Sequence, residues 1–423
     1  MFDHEVKDIK VYQVLTAALP RGDELKAALQ RSNHTWSTSP WLHGVQTESL
    51  ETFSQKAFSH SSPHDVAQVA LAIAATADDA SLLRLLGVVD RYIIADDEYL
   101  NSLDGIQCAV KQCTLYTKTG NIVRSSHIWR RAIAAQMISL HRTRHSPHSD
   151  MLWWQLYTID RFGNMILNTP YTIADAHCNL DFKQIQGPPL VFDFILRLCQ
   201  LAGKVIDYLQ TRTSELQSLS NKMTQLASSM PASFWGQGPE TAMENRRRVG
   251  NLLVHMGFYQ VDLSLHMPSM LRPRASGHAP RGHALARCIV PARKILLIAK
   301  RLDFSPLDPG FRGGFSETGL SAAVVLCLAL QGYGGFEYAA VEGGDWGLLD
   351  GTVRAYEEKG WTEGWRVSKG LVEMGDTGAG EDLVFSLPFY GKFAVTPADF
   401  LPRAGESIVA DVDSTPMESW LSV

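Results

Sequence analysis

Four side chains that can carry or share a proton recur along one stretch of the sequence: His255, Tyr259, Asp262 and His266. Their steps of four, three and four residues place them along one side of a single α-helix. An aspartate beside a histidine can tune the histidine for proton transfer or hold it as a hydrogen-bond donor. The alternative, which we favour, is that Asp262 and His266 satisfy backbone groups of a neighbouring loop, as buried polar side chains usually do.

Aromatic side chains at helical spacing indicate a second kind of chemistry, the binding of an apolar small molecule between helices. The side chains that we predict to contact such a ligand are Trp129, Trp153, Trp154, Tyr157, Tyr259 and His266. Trp235 could line the same pocket. Most aromatic residues at helical spacing belong instead to the apolar core, so the structural interpretation stays open for each of them.

Several motifs of catalysis and cofactor binding are absent from the sequence. It contains no G-x-S-x-G, G-x-x-x-x-G-K-[ST] or H-E-x-x-H motif, and no G-x-G-x-x-G on a predicted strand. Residues 96–98 form a short acidic cluster, but Leu100 stands where a third carboxylate on the same helical face would be needed to bind a metal. We interpret this cluster as a solvated helix end.

Three histidines, His141, His145 and His148, have the spacing of one helical face, but Pro147 interrupts the last interval. No carboxylate or cysteine completes a metal-binding set there, and the six cysteines of the chain include no C-x2-C pair. We therefore predict no metal site and no cofactor. A buried charge network is predicted for Asp160 and Arg161 with Arg142, and a structural role is the favoured interpretation.

The elements that would position these residues are helices, because apolar positions recur at steps of three and four and seldom alternate. The predicted fold class is all-α, a multi-helix array with a less regular, glycine-rich C-terminal part. The predicted helices cover residues 65–77, 80–94, 102–117, 125–141, 149–166, 189–230 with a break, 240–267, 291–302, 318–330 and 349–359, and a short hairpin is predicted at 385–395. The segment 80–94 is apolar nearly all round, so we expect it to lie deep in the interior.

Composition is that of a globular protein: 423 residues, 45% apolar and 20% charged, with a formal net charge of −5. A surface that coats nucleic acid needs an excess of Lys and Arg, so direct nucleic-acid binding is not expected. No signal peptide and no membrane span are predicted. The expected domains are an N-terminal lead-in (1–60), a helical domain (61–302), and a C-terminal extension packed on it (303–423).

Four segments together resemble the middle homology region of fungal zinc-cluster transcription factors. They are SHIWRRAI leading to LHR (126–142), LWWQLYTIDR (152–161), NTPYTI (168–173) and LHMPSMLR (265–272). The second segment is the most specific, since it matches a Trp-Trp-x-x-Tyr-x-x-Asp-Arg pattern. Ser139 departs from the glycine of the first motif, and the third has Asn-Thr in place of Gly-Arg. The likeness extends over about residues 60–300.

The resemblance implies a helical regulatory domain, whereas the six-cysteine zinc module that contacts DNA in that family is absent from this sequence. Our leading interpretation is a transcriptional regulator-like protein of a fungal secondary-metabolite gene cluster, located in the nucleus or cytoplasm. Its partners would be an apolar small molecule or other regulatory proteins, and a homodimer is a further alternative. The basic run 246–248 could be a weak nuclear-import patch, although a solvated helix face is favoured.

The alternative function is enzymatic: the same fold recruited as a cofactor-free cyclase or pericyclase acting on an apolar polyketide or terpenoid. Such a reaction needs a shaped apolar cavity and one or two hydrogen-bond donors, and it leaves no sequence motif. The candidate catalytic residues are then Tyr157, His255, Tyr259, Asp262 and His266. A second, complete zinc-cluster regulator beside the gene would favour this interpretation.

Overall fold

The computed structural model describes residues 2–38, 48–140, 147–178, 190–211, 215–236, 242–270, 281–303, 316–330, 344–358, 366–371, 383–387 and 391–395. These residues form an all-α protein with one short hairpin, which confirms the predicted fold class. The chain divides into two compact units, and the boundary falls inside one helix, after Asn164. The first unit also includes residues 172–177, and the second includes 165–171 and the described chain from residue 178 onward.

The first unit is made of nine helices in the part of the chain described. They are α1 (Phe2–Ala18), α2 (Gly22–Thr38), α3 (Leu50–His60), α4 (Pro63–Ala74), α5 (Asp79–Val89), α6 (Asp97–Leu100), α7 (Leu103–Lys118), α8 (Ile122–Leu140) and most of α9 (Pro147–Leu167). A π-helical turn, Asp90–Ile94, continues α5, and a 3₁₀ turn, Asp175–His177, follows α9. The described part of the predicted lead-in, 1–60, therefore consists of the three helices α1, α2 and α3 and short connections.

Helix α4 is the centre of this unit, because it packs against α1, α2, α3, α5 and α7. Its start follows from the sequence: Ser62 accepts a hydrogen bond from the Asp65 backbone N–H, and Pro63 occupies the first turn. Residues 66–74 are all buried, so the helix has no solvated face. The predicted limits, 65–77, differ by two and three residues from those observed.

The segment predicted to be deeply buried, 80–94, is corrected by the structure. Asp78 caps α5, but Leu83 is 55% exposed and Gly87 is exposed, whereas Leu85, Leu86 and Val89 are buried. One face of the helix therefore carries an exposed leucine. Apolar composition by itself did not show which face packs, because that depends on where α1 and α4 lie against the helix.

The helix predicted at 149–166 begins two residues earlier, at Pro147. Helix α8 ends at Leu140 and α9 begins at Pro147; proline has no backbone N–H, and none is needed at the first position of a helix. Ser149, the first residue of the helix predicted at 149–166, is buried inside the first turn and accepts from Gln136 Nε2 at 2.9 Å. The buried Ser149 therefore joins α8 to α9.

The described part of the second unit contains α10 (Leu190–Thr211), α11 (Leu216–Ser228), α12 (Ala232–Trp235), α13 (Ala242–Met270), α14 (Arg281–Asp303), α15 (Ser316–Leu330), α16 (Gly344–Glu358) and α17 (366–371). Pro291, predicted as a helix start, lies inside α14, and Pro268 lies inside α13. Both helices thus continue through a residue that usually ends one. Helices α13, α14 and α15 pack in succession and share a core with α16.

The C-terminal part is more regular than its glycine content suggested. Helix α15 is buried along residues 318–329, and the strands β1 (Leu383–Leu387) and β2 (Gly391–Val395) form an antiparallel hairpin in which Phe385 pairs with Phe393. This agrees with the hairpin predicted at 385–395. The three-part domain division, with boundaries after residues 60 and 302, stays a prediction. In the part of the chain that is described, no helix is long and apolar enough to cross a membrane.

Candidate functional site

A buried charge cluster in the first unit is built on Asp160 near the end of α9. Both Asp160 carboxylate oxygens accept from the Thr172 backbone N–H at 2.8 and 3.0 Å, and one also accepts from the Ile173 N–H at 2.9 Å. Asn164 donates to the same carboxylate at 2.8 Å. Because Asp160 is fully buried, these bonds replace its hydration and fix the loop after α9.

Arg161, the neighbour of Asp160, extends the cluster to the same loop. Its guanidinium donates to the Ile173 carbonyl and to the Asp175 carboxylate, both at 2.6 Å, and lies 4.6 Å from the centre of the Tyr157 ring. Burial opposes the positive charge, but Tyr157 and Asp175 outweigh it and raise the pKa of Arg161. The predicted internal charge network is therefore present, and it holds a loop. Arg142, its third predicted member, lies outside the described residues.

Tyr157 belongs to the same buried cluster. Its hydroxyl donates to Asp175 Oδ1 at 2.7 Å, and the side chain has no exposed surface. Trp154 packs on it edge to face, with ring centroids 5.5 Å apart, and is buried, whereas Trp153 is half-buried. The sequence identified Tyr157 as a hydrogen-bond donor. It did not identify Asp175 as the acceptor, because that contact depends on the path of the loop.

Trp129 is enclosed in the first unit against the backbone of α9. A Cβ atom at Gly163 would lie 2.5 Å from the Trp129 ring, so only glycine leaves room for the indole at that point. The Trp129 indole N–H is buried and has no hydrogen-bond partner among the described residues. Trp129 therefore packs as a core residue, and its contact with a ligand stays a prediction.

An aromatic cluster in the second unit surrounds His255. The imidazole stacks on Trp235 with centroids 4.9 Å apart and meets Phe234 edge to face at 4.6 Å. Phe258 and Phe194 extend the cluster around Trp235. Burial lowers the pKa of His255 to about 4, although a hydrogen bond to the Phe234 backbone partly offsets the effect. His255 is consequently a neutral imidazole at pH 7.

One nitrogen of this histidine has an unused hydrogen-bonding capacity. His255 Nε2 is buried and has no partner among the residues that the structure describes. A neutral imidazole that donates from one nitrogen can accept at the other. Tyr259 lies one turn along α13 and packs on Trp235 and Phe258, and burial raises its pKa to about 12. The tyrosine therefore remains a hydrogen-bond donor at any physiological pH.

The Asp262–His266 pair lies further along the same helix. His266 Nε2 is 3.5 Å from Asp262 Oδ1 and 3.4 Å from Ser220 Oγ of α11. A catalytic triad requires the serine and the carboxylate on opposite nitrogens of the imidazole, and here both contacts go to the same one. The geometry is therefore that of a polar contact between α11 and α13. Burial raises the pKa of Asp262 to about 7, and Arg287 partly opposes that shift.

The cavities of the described second unit include a small one and a larger one. The small one, of about 20 Å³, is lined by Gln260, Ser264 and Ser321 among others and has room for about one water molecule. The other is an open groove of about 240 Å³ between α10 and α11, which the sequence did not indicate. Among the residues described, no group of three His, Cys, Asp or Glu side chains could hold a metal ion. His141 and His145 lie outside the description, as do the side chains of His148 and 246–248.

Comparison with known proteins finds sequence similarity to fungal regulators of transcription. The chain is 22% identical over 218 residues to transcription factor eupR of a Phoma species, covering 46% of this chain and 47% of that protein. It is 23% identical over 270 residues to the probable transcription factor gsfR1 of Penicillium aethiopicum, covering 56% of this chain and 37% of that protein. A dehydrocurvularin biosynthesis regulator of Alternaria cinerariae matches at 22% over 254 residues, 51% of this chain and 31% of that protein.

These matches support a transcription factor-like protein related to regulators of biosynthesis. The chain spans between about a third and a half of the length of these curated relatives. No family model matches the chain. No solved structure matches it either.

Proposed function

We propose that this chain regulates transcription of a fungal gene cluster for a secondary metabolite, and that it acts through its helices on a small molecule or on other regulatory proteins. The observation that carries the proposal is the similarity of about half of the chain to proteins named as transcription factors or biosynthesis regulators. The all-α architecture agrees with the regulatory domain that the sequence resembles. We place the chain in the nucleus or cytoplasm of the cell.

For the ligand, we propose the aromatic cluster of the second unit as the contact surface. A buried acceptor nitrogen on His255 suits a ligand hydroxyl group, and Trp235 offers an aromatic face beside it. Tyr259 and His266 would contribute from the same helix. In the first unit, Trp129, Trp153, Trp154 and Tyr157 remain proposed contacts, although Tyr157 already donates its hydroxyl proton to Asp175.

Gene deletion with transcript profiling tests the regulatory proposal. Loss of the chain should lower transcripts of a contiguous set of biosynthetic genes, and the wild-type gene should restore them. Unchanged transcripts together with loss of the metabolite would contradict the proposal and favour the cyclase or pericyclase. A mobility-shift assay with the purified chain should show no sequence-specific complex, because its net charge is −5 and no zinc module is present in the sequence.

A variant of His255 tests the ligand proposal. His255→Phe keeps the aromatic packing and removes the nitrogen acceptor, so the chain should fold but lose its response to extracts that contain the metabolite. The response is measured as an increase in the midpoint of thermal unfolding. A matched change at a remote aromatic, Tyr12→Phe, should leave the response intact. An unaltered response in His255→Phe would exclude the nitrogen as a contact.

A further inference from the structure

The open groove between α10 and α11 combines positive charge with an apolar floor. Arg197 and Lys204 of α10 and Lys222 of α11 line it, and Leu201 and Leu226 are buried at its base. On α10 the lining positions 197, 201 and 204 are spaced by four and three residues, so they share one helical face. None of the residues that line the groove is acidic.

The charge in this groove is only partly compensated. Arg197 pairs with Asp193 one turn earlier on the same helix, at 2.8 Å. Lys204 and Lys222 are exposed and form no ion pair with any residue that the structure describes. The groove therefore presents two ammonium groups above a leucine floor, in a chain whose overall formal charge is −5. A suitable occupant carries carboxylates interspersed with apolar side chains.

The sequence of this chain contains such a segment, outside the described residues. Residues 404–423 contain no lysine or arginine and four acidic residues, Glu406, Asp411, Asp413 and Glu418. Bulky apolar side chains alternate with these acids, namely Ile408, Val409, Val412, Met417, Trp420 and Leu421. A second acidic segment, 373–382, also has four acids, but its only bulky apolar residue is Met374. The first segment alone matches both features of the groove.

We propose that the acidic segment 404–423 binds in the groove between α10 and α11 of the same chain. Its carboxylates pair with Lys204 and Lys222, and its apolar side chains contact Leu201 and Leu226. This inference does not rest on the proposed function, because it concerns a contact within the chain whatever process the chain serves.

Zero-length carbodiimide crosslinking of the full chain tests the contact, because it joins an amine and a carboxylate only when they touch. Mass spectrometry should find amides between Lys204 or Lys222 and the acids of 404–423. Mixing of isotope-labelled and unlabelled chains should show that these amides form within one copy. Crosslinks of the two lysines to 373–382 instead, only between copies, or to no acid of 404–423, would overturn the proposal.

A charge-neutral variant of the segment provides the second measurement. In the full chain carrying E406Q, D411N, D413N and E418Q, the acetylation rates of Lys204 and Lys222 should rise several-fold. Lys10 and Lys26, exposed lysines of α1 and α2, should react as before. Equal rates at the groove lysines in both chains would contradict binding of the segment. Lys111 is fully buried and should stay unreactive in both chains, so a global loss of structure would be visible as acetylation of Lys111.

Binding of the segment in trans completes the test. A labelled peptide of residues 404–423 should bind the charge-neutral variant, and the added changes K204E and K222E should weaken binding about tenfold or more, as like charges replace opposite ones. The matched pair K10E and K26E should leave affinity unchanged, and about 0.5 M salt should weaken binding. Equal affinity for a scrambled peptide would show general binding of acidic peptides and would overturn the assignment of 404–423 as the occupant.

Discussion

The Trp129 indole lies directly against Gly163, with space for a hydrogen and none for a methyl group. The two residues come from consecutive helices, α8 and α9, and the contact sets how closely these helices approach in the first unit. A Cβ atom at position 163 would meet three atoms of the ring at 2.5 to 3.0 Å. Since the tryptophan is fully buried, it has no free volume into which to move.

We therefore predict that Gly163→Ala lowers the free energy of unfolding by about 1–3 kcal/mol, the usual cost of overpacking a core. Urea denaturation measures this change. Gly87→Ala is the matched control, because Gly87 lies in a helix of the same unit with open space at its Cβ position. There alanine should stabilise the chain by about 0.5–1 kcal/mol, through helix propensity. Equal effects at the two glycines would contradict the close contact.

Asp160 should contribute much more to stability than an exposed aspartate. Asp160→Asn leaves one acceptor oxygen for the N–H groups of Thr172 and Ile173 and removes the charge beside Arg161. We expect a loss of roughly 3–5 kcal/mol, as when one member of a buried ion pair is deleted. Asp79→Asn, at an exposed position of α5, should cost less than about 1 kcal/mol. Comparable losses for both variants would contradict the loop-fixing role of Asp160.

Lys111 should make the free energy of unfolding increase with pH in the alkaline range. It is fully buried, donates to Gln68 at 2.6 Å and lies over the Trp36 ring, and burial lowers its pKa to about 8. The unfolded chain keeps the lysine proton up to about pH 10.5 and the folded chain loses it near pH 8, so this contribution to stability increases between the two values. The total increase is roughly 3 kcal/mol.

Lys111→Met should abolish that increase, measured as the slope of unfolding free energy against pH from about 8 to 10.5. Lys26→Met, at an exposed position, should retain the wild-type slope. The slope, rather than the stability at one pH, is the readout, because methionine also removes the hydrogen bond to Gln68. A wild-type slope in Lys111→Met would show that the lysine is not buried as described.

Asp262 should make the free energy of unfolding fall as the pH rises, over a lower pH range than the increase expected from Lys111. Burial raises its pKa to about 7 in the folded chain from 3.8, so the folded state holds this proton more tightly. Its stabilising contribution is complete below about pH 4 and is lost as the pH rises through 7. Asp262→Asn should therefore gain stability relative to the wild type between pH 5 and pH 8. Asp350→Asn, at an exposed position of α16, should show no such trend. A constant difference across this range would contradict the raised pKa of Asp262.

The limits of a helix follow from the sequence where the sequence carries a local signal. Ser62 and Pro63 mark the start of α4, and the Asp160–Arg161 pair was correctly expected to form a buried network. The predicted helix limits were wrong at two prolines, since Pro147 begins a helix and Pro291 lies within one. Whether a helix continues through proline depends on packing from distant segments, which periodicity does not report.

The partners of the predicted polar residues were harder to infer. Asp175 accepts from Tyr157, and Ser220 contacts His266 from another helix. Both are common residue types in unremarkable sequence surroundings, and only the folded chain brings them to their partners. The groove between α10 and α11 was missed for the same reason, because Lys204 and Lys222 lie 18 positions apart in the sequence.

Nascent transcription in a strain that cannot make the metabolite tests the central claim most directly. With the first biosynthetic enzyme deleted, induction of this chain should still raise transcription of the remaining genes of the cluster, because a regulator acts without its pathway product being formed. Transcription that stays constant on induction, while the restored pathway needs the chain to complete its product, would contradict regulation and identify a biosynthetic enzyme.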